Sequence, residues 1–142
     1  MYRLTYVSKS KIENDEDLSK LFIKSEESNR LNNISGMLIH KNSDFIQVLE
    51  GNKQVVTSLF NTIKNDNRHE NIVIFYEKDI KKKYFEGFYM AFDYLSFENT
   101  TYFESLKDFN FDKILKSEKN VVLEILKTFL EAKQRQELEK LN

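Results

Sequence analysis

Between Ser25 and Gly51 the chain runs SEESNRLNNISGMLIHKNSDFIQVLEG. The segment 44–50, DFIQVLE, is apolar on both of its alternating faces, with Phe45 and Leu49 on one and Ile46 and Val48 on the other. A strand of that kind belongs in the middle of a sheet, so Gln47 is expected to be buried whichever face it takes. A carboxamide in a core is costly without partners. Ser25 and Asn29 also fall along a stripe that otherwise reads as core. Several buried polar groups facing one place point to a polar ligand more than to simple packing.

The chain has 142 residues, enough for one domain with a real core and a short extension. It carries 22 basic and 23 acidic residues, so no strong field marks a nucleic acid or an acidic partner. The run Lys81-Lys82-Lys83 reads as a solvated loop. The absence of cysteine excludes disulfides, thiolate metal sites and a cysteine nucleophile. MYRLTYVSKS does not read as a signal peptide, and no apolar run reaches membrane-spanning length. These features together read as a cytoplasmic protein.

Tyr2, Leu4 and Tyr6 alternate onto one face of a strand over 2–8. Asn14 or Asp15 caps a helix running to about Asn29, with Leu18, Leu21 and Phe22 as its stripe. Strands over 34–40 and 44–50 form a hairpin through Lys41-Asn42-Ser43. Gly51-Asn52 opens a second helix with Val55, Val56, Leu59, Phe60 and Ile63 at helical intervals. A polar loop from Lys64 to Asn71 precedes strands over 72–77 and 85–94, the last with Phe88, Met90, Phe92 and Tyr94 on one face. The order strand, helix, strand, strand, helix, strand, strand predicts an α+β sandwich of ferredoxin-like type, both helices on one sheet face. The tail differs. Thr101-x-x-Glu104 resembles a capping box and Ser117 caps a further stripe of Val122, Ile125, Leu126 and Phe129. The expected division is a domain over 1–97 and a two-helix extension over 98–142, covering the other sheet face or a partner.

Ser25 lies seven residues after Leu18, and Asn29 seven after Phe22, so both continue the buried stripe. Asn29 also fits a helix C-cap, and Ser25 a serine bonded back to its own helix. Tyr6 sits on its strand's apolar face, where a buried phenol needs a partner. Gln47 becomes that partner where the first and third strands are neighbours. Asp66, Arg68 and His69 follow the second helix and suit either a solvated turn or a ribityl and phosphate site. Neither His40 nor His69 has metal-site spacing, and no glycine-rich phosphate loop exists.

LTYVS around Tyr6, SNRLNNISGMLIH, DFIQVLEG around Gln47, NDNRH and FEGFYMAF follow one another in an order that resembles the BLUF family of blue-light sensors. The resemblance covers roughly residues 2–95. It implies a flavin between the two helices, FAD first, with FMN or riboflavin as alternatives. It implies that Tyr6 donates an electron to the excited flavin, that Gln47 lies between Tyr6 and flavin, and that Met90 helps report flavin state. It places Leu21, Ser25, Asn29 and Phe45 at pocket positions, and Asp66, Arg68 and His69 near the ribityl and phosphate end. Two positions depart from the family pattern. A tryptophan two residues before the methionine is Phe88 here, which bears on relay and dark recovery, and an asparagine just before the flavin-binding one is Ser28.

The resemblance further implies a sensor and not an enzyme, signalling through its C-terminal helices to a separate effector protein or within a homo-oligomer, with no nucleic acid or membrane contact. An acylphosphatase-like hydrolase on the same fold needs a phosphate-cradling loop with an arginine after the first strand. SKSKIENDED has no arginine and much acid. A light-insensitive interaction module on the same scaffold is the other alternative.

Overall fold

The computed structural model describes residues 1–41, 43–87, 89, 91–94 and 139. Seven elements follow in the order expected: β1 (Tyr2–Ser10), α1 (Asp15–Leu31), β2 (Ser35–Lys41), β3 (Asp44–Gly51), α2 (Lys53–Lys64), β4 (His69–Asp79) and β5 (Ala91–Tyr94). The chain divides into two compact units, Met1–Tyr94 and Leu95–Asn142. The helices expected over 98–142 fall outside the described residues, Glu139 apart.

The sheet order is β4-β1-β3-β2-β5, with antiparallel pairing throughout except for the parallel pair of β2 and β5. The fold is ferredoxin-like. β3 is fully buried along its length, as its doubly apolar pattern requires. Tyr2, Leu4, Tyr6, Leu38, Phe45 and Leu49 share a core with Leu18 and Phe22 of α1 and Val56 and Phe60 of α2. Both helices therefore cover the same face.

Local chemistry explains the boundaries. Asn14 caps α1 by accepting from the Asp17 N–H at 2.9 Å, and Asp15, Glu16 and Asp17 favour the positive end of the helix dipole. The helix ends beyond Asn29. Asn33 adopts φ 52°, the Ile34 N–H reaches the Asn29 carbonyl at 2.9 Å, and the Asn33 N–H reaches that of Arg30 at 3.3 Å. This is a Schellman closure with asparagine in the left-handed position, and it makes Asn29 a helical residue, not the C-cap. Asn52 caps α2 through the N–H groups of Gln54 and Val55. Between β2 and β3, Ser43 takes φ 68°, the left-handed backbone that tight hairpins demand. Gly36 is required by close approach: a Cβ there would lie 2.0 Å from the Val48 carbonyl oxygen.

Three expectations are corrected. β4 starts at His69, inside the segment read as loop, because that segment pairs with the end of β1 through His69↔Ser10 and Glu70↔Lys9. The last strand spans only Ala91–Tyr94, since the backbone before it is committed elsewhere. Glu50, on the face away from the helices, accepts from the Tyr84 N–H at 3.0 Å and the Phe85 N–H at 2.7 Å, and Gly87 takes φ 85°. Nor is the lysine run wholly solvated: Lys83 is buried, donating to the Asn33 carbonyl at 3.0 Å and Ser35 Oγ at 3.3 Å.

The Glu50 carboxylate also meets the Arg3 guanidinium at 2.7 Å, with both side chains buried. Removing one member of a buried, hydrogen-bonded pair leaves the other charge uncompensated. Glu50→Ala should lower unfolding free energy by about 3–5 kcal/mol, read from urea denaturation. A loss below about 1 kcal/mol, the scale of an exposed pair, would contradict this account.

Candidate functional site

The cleft lies between the C-terminal halves of α1 and α2, over the centre of the sheet. Its floor is laid by strand register. Tyr6 on β1 stands directly opposite Gln47 on β3, and Leu38 on β2 stands opposite Gln47 on the other side. The Tyr6 hydroxyl donates to Gln47 Oε1. Both residues are buried, at 4% exposure each. Accepting through Oε1 leaves Nε2 as the donor arm of the amide. A buried phenol and a buried amide thus satisfy one another at the base of a cavity.

The walls are built by helical spacing. Leu21, Lys24, Ser25, Ser28 and Asn29 of α1 line one side, Leu59, Thr62 and Ile63 of α2 the other, and Phe45 joins the floor. Large apolar side chains fill the space between helices and sheet around Leu18, Phe22, Val56 and Phe60. Further along, Ser25, Ser28 and Asn29 of α1 and Thr62 of α2 take the place of some of that bulk, and a cavity of about 190 Å³ opens. That is below the roughly 300–1,000 Å³ of usual small-molecule sites.

At the mouth, the Asp66 carboxylate pairs with the Arg68 guanidinium and also accepts from the Arg68 N–H at 2.9 Å. The hydrogen bond from Arg68 holds the Asp66 carboxyl below its ordinary range. His69 is pinned on both ring nitrogens. Nε2 lies 2.6 Å from the Ile63 carbonyl, which can only accept, so Nε2 carries a proton; Nδ1 lies 2.8 Å from Ser8 Oγ. This clamp ties the end of α2 to β1 and sets the imidazole edge-on to Tyr6, ring centroids 6.1 Å apart. Phe60 packs on the phenol at 5.5 Å. Burial, and secondarily the Asp66 charge, pushes the Tyr6 hydroxyl well above the ordinary phenol range. Tyr6 is therefore a neutral phenol at any physiological pH.

Nine of the ten residues singled out from the sequence line this one cleft: Tyr6, Leu21, Ser25, Asn29, Phe45, Gln47, Asp66, Arg68 and His69. Met90 lies outside the described residues, as does Phe88. Asn29 faces the cleft from within the last turn of α1, and its Nδ2 donates to the Tyr89 carbonyl at 2.7 Å. Sequence reasoning left out Lys24, Leu38, Leu59, Thr62 and Ile63. In the sequence Leu59 and Ile63 read as ordinary core. Lys24 and Thr62 each sit three residues from a wall residue, Leu21 and Leu59, and that spacing was the available signal.

The donor set suits a flavin: apolar side chains for a flat ring, the Asn29 and Gln47 amides for its polar edge, and Lys24 and Arg68 at the mouth for phosphate. A family model described as BLUF, sensors of blue-light using FAD, matches residues 1–91. Photoactivated adenylate cyclase subunit alpha-like protein FB of Euglena gracilis is 44% identical over 45 residues, which is 32% of this chain and 4% of that protein. The ground-state structure of BlsA has a TM-score of 0.73 at 28% identity, covering 89% of this chain and 86% of that one. A bacterial light-regulated adenylyl cyclase has a TM-score of 0.64 at 25% identity, over 96% of this chain and 35% of that chain. The chain thus spans about a third of that cyclase, and its match to the Euglena protein is far shorter still.

The raised Tyr6 pKa has a definite linkage sign. Below pH 10, the ordinary phenol value, both folded and unfolded chains keep the proton. Above it only the unfolded chain releases it, so folding stability falls as pH rises toward the folded-state value. Between about pH 11 and 12 the slope from Tyr6 should be about 1.4 kcal/mol per pH unit. Urea unfolding of Tyr6→Phe over that range should be shallower by this amount; equal slopes would show that the phenol ionises freely in the fold.

Proposed function

Because this chain belongs to the BLUF family, sensors of blue light using FAD, we propose that it is a photoreceptor whose light reaction runs on the Tyr6–Gln47 pair. The observation that carries this reading is the buried hydrogen bond from the Tyr6 hydroxyl to Gln47 Oε1 at the floor of the cleft. BLUF domains bind FAD. Leu21, Leu38, Phe45, Leu59 and Ile63 would hold the ring, Asn29, Gln47 and Ser25 its polar edge, and Lys24, Asp66, Arg68 and His69 the ribityl and phosphate end. FAD, when bound, supplies the blue-absorbing ring and accepts one electron.

The chain's own part follows from the geometry. Tyr6 gives up an electron, and oxidation makes its hydroxyl strongly acidic. The proton leaves Oη along the existing hydrogen bond to Gln47 Oε1. Electron and proton then return to Tyr6, and no bond to any substrate is made or broken. The returning proton comes from Oε1, leaving the Gln47 amide in a rotated plane, or from Nε2, leaving the imidic tautomer with the transferred proton kept on Oε1. A rotated amide presents an acceptor to the cleft where a donor stood before. That change in hydrogen bonding is the stored signal.

The output is a shift in population among states of the last strand and the segment after it. The effector is a separate protein or a second copy of the chain, in the cytoplasm. No helix among the described residues is long and apolar enough to cross a membrane.

Tyr6→Phe should keep the flavin and lose the reversible red shift of its absorption after blue light, and Gln47→Leu should do the same. Spectra before and after illumination, with the chromophore extracted and identified, test this; an intact photocycle in Tyr6→Phe removes Tyr6 from the mechanism. Arg68→Gln should weaken FAD binding about tenfold, about 1.4 kcal/mol, and leave riboflavin binding unchanged, as read by fluorescence titration. Equal losses for both ligands would move the phosphate site elsewhere.

A further inference from the structure

We infer that Asn29 is a positioning residue that couples the cleft to the entry of β5 through the carbonyl of Tyr89. The inference rests on the photoreceptor reading above and adds a second route out of the pocket beside the Tyr6–Gln47 pair.

Asn29 is 2% exposed and lines the cleft. One Nδ2 proton goes to the Tyr89 carbonyl at 2.7 Å. The second Nδ2 proton and Oδ1 belong to the same rigid amide plane. A change in hydrogen bonding on the cleft side therefore cannot turn that plane without moving the donor that holds Tyr89. The next residue on α1, Arg30, places its guanidinium 4.7 Å from the centre of the Tyr89 ring. Residue 89 is thus held by the last turn of α1 through both backbone and side chain.

The segment leading to it is anchored elsewhere. Tyr84 and Phe85 donate their N–H groups to the buried Glu50 carboxylate, and Lys83 donates to the Asn33 carbonyl. Gly87, at φ 85° with open space where a Cβ would stand, separates the two anchorages. Glycine crosses between backbone basins more freely than any other residue, so Gly87 is the pivot. Upstream, the chain is fixed to the sheet. Downstream, two residues beyond Tyr89, Ala91 begins parallel pairing opposite Met37. A turn of the Asn29 amide shifts the carbonyl of residue 89 and, with it, the first residue of β5.

The test uses the flavin-loaded full chain with tyrosine labelled at the backbone carbonyl carbon with ¹³C. Light-minus-dark infrared spectra are compared with those of Tyr89→Phe labelled in the same way. That variant removes one label while keeping the backbone carbonyl and a ring for Arg30. A labelled carbonyl band that shifts under blue light, reverses in the dark and is missing from Tyr89→Phe is the expected result. If the two samples match while the visible absorption still shifts to the red, the coupling through Tyr89 is wrong and the photoreceptor reading stands. If the visible shift is itself absent, the photoreceptor reading fails and takes this inference with it. Asn29→Asp exchanges the donor for an acceptor. In the dark it should move the Tyr89 carbonyl band to higher frequency, and an unmoved band would overturn the inference even if this variant no longer holds flavin.

Discussion

One hydrogen bond between neighbouring strands organises this molecule. Tyr6 and Gln47 meet because β1 and β3 are antiparallel neighbours in one particular register. A slip of one residue would turn every side chain of a strand to the opposite face. The slip is prevented by alternation on both strands, since Leu4 and Tyr6 point with Phe45 and Leu49 into the helix-covered core. Without Tyr6 the Gln47 amide would lose a partner in a nearly dry interior, at a cost of about 1–3 kcal/mol. The same pair thus contributes to folding and forms the cleft floor.

The helices make the cleft by what they lack. α1 carries bulky apolar residues in its middle turns and Ser25, Ser28 and Asn29 toward its C-terminus, while α2 sets Thr62 between Leu59 and Ile63. The cavity consequently lies near two helix C-termini, where the backbone dipoles leave partial negative charge. An anionic phosphate approaching there meets an unfavourable field, which Lys24 and Arg68 oppose. The polar edge of a ring whose N–H groups seek acceptors meets a favourable one. The site is therefore polarised along its length before any ligand enters.

Much of this was legible in the residues, where local rules decide. The alternation of β1, the doubly apolar β3 and the asparagine before α2 each fix an element from within; β3 alone makes Gln47 buried, and its meeting with Tyr6 follows once β1 and β3 are neighbours. The two strand boundaries that differ share one cause, which is long-range capture of backbone. Nothing near Phe85 announces that Glu50, far back in the chain, will take its N–H and keep it out of a strand. Nothing in NDNRH announces that its end will pair with Lys9 and Ser10 and start β4 at His69. The end of α1 lies two residues beyond the expected one for a smaller reason. SNRLNN offers three asparagines that tolerate a left-handed backbone, and only the closure onto the Asn29 and Arg30 carbonyls selects Asn33.

The electrostatics of Tyr6 show why a phenol suits the proposed reaction. Burial and the Asp66 carboxylate both oppose loss of its proton in the ground state. A positive charge created by oxidation feels the same carboxylate in the opposite sense: Asp66 stabilises it, moderated by Arg68, which neutralises most of the Asp66 field beyond short range. The site is thus set against ionisation in the dark and less set against oxidation in the light. When the electron leaves, the acidity of the hydroxyl rises steeply, and the acceptor within reach is Gln47 Oε1. Proton loss is then tied to electron loss, and the return of the electron restores the proton. Reversibility follows from that coupling, and a phenol already ionised in the dark would have broken it.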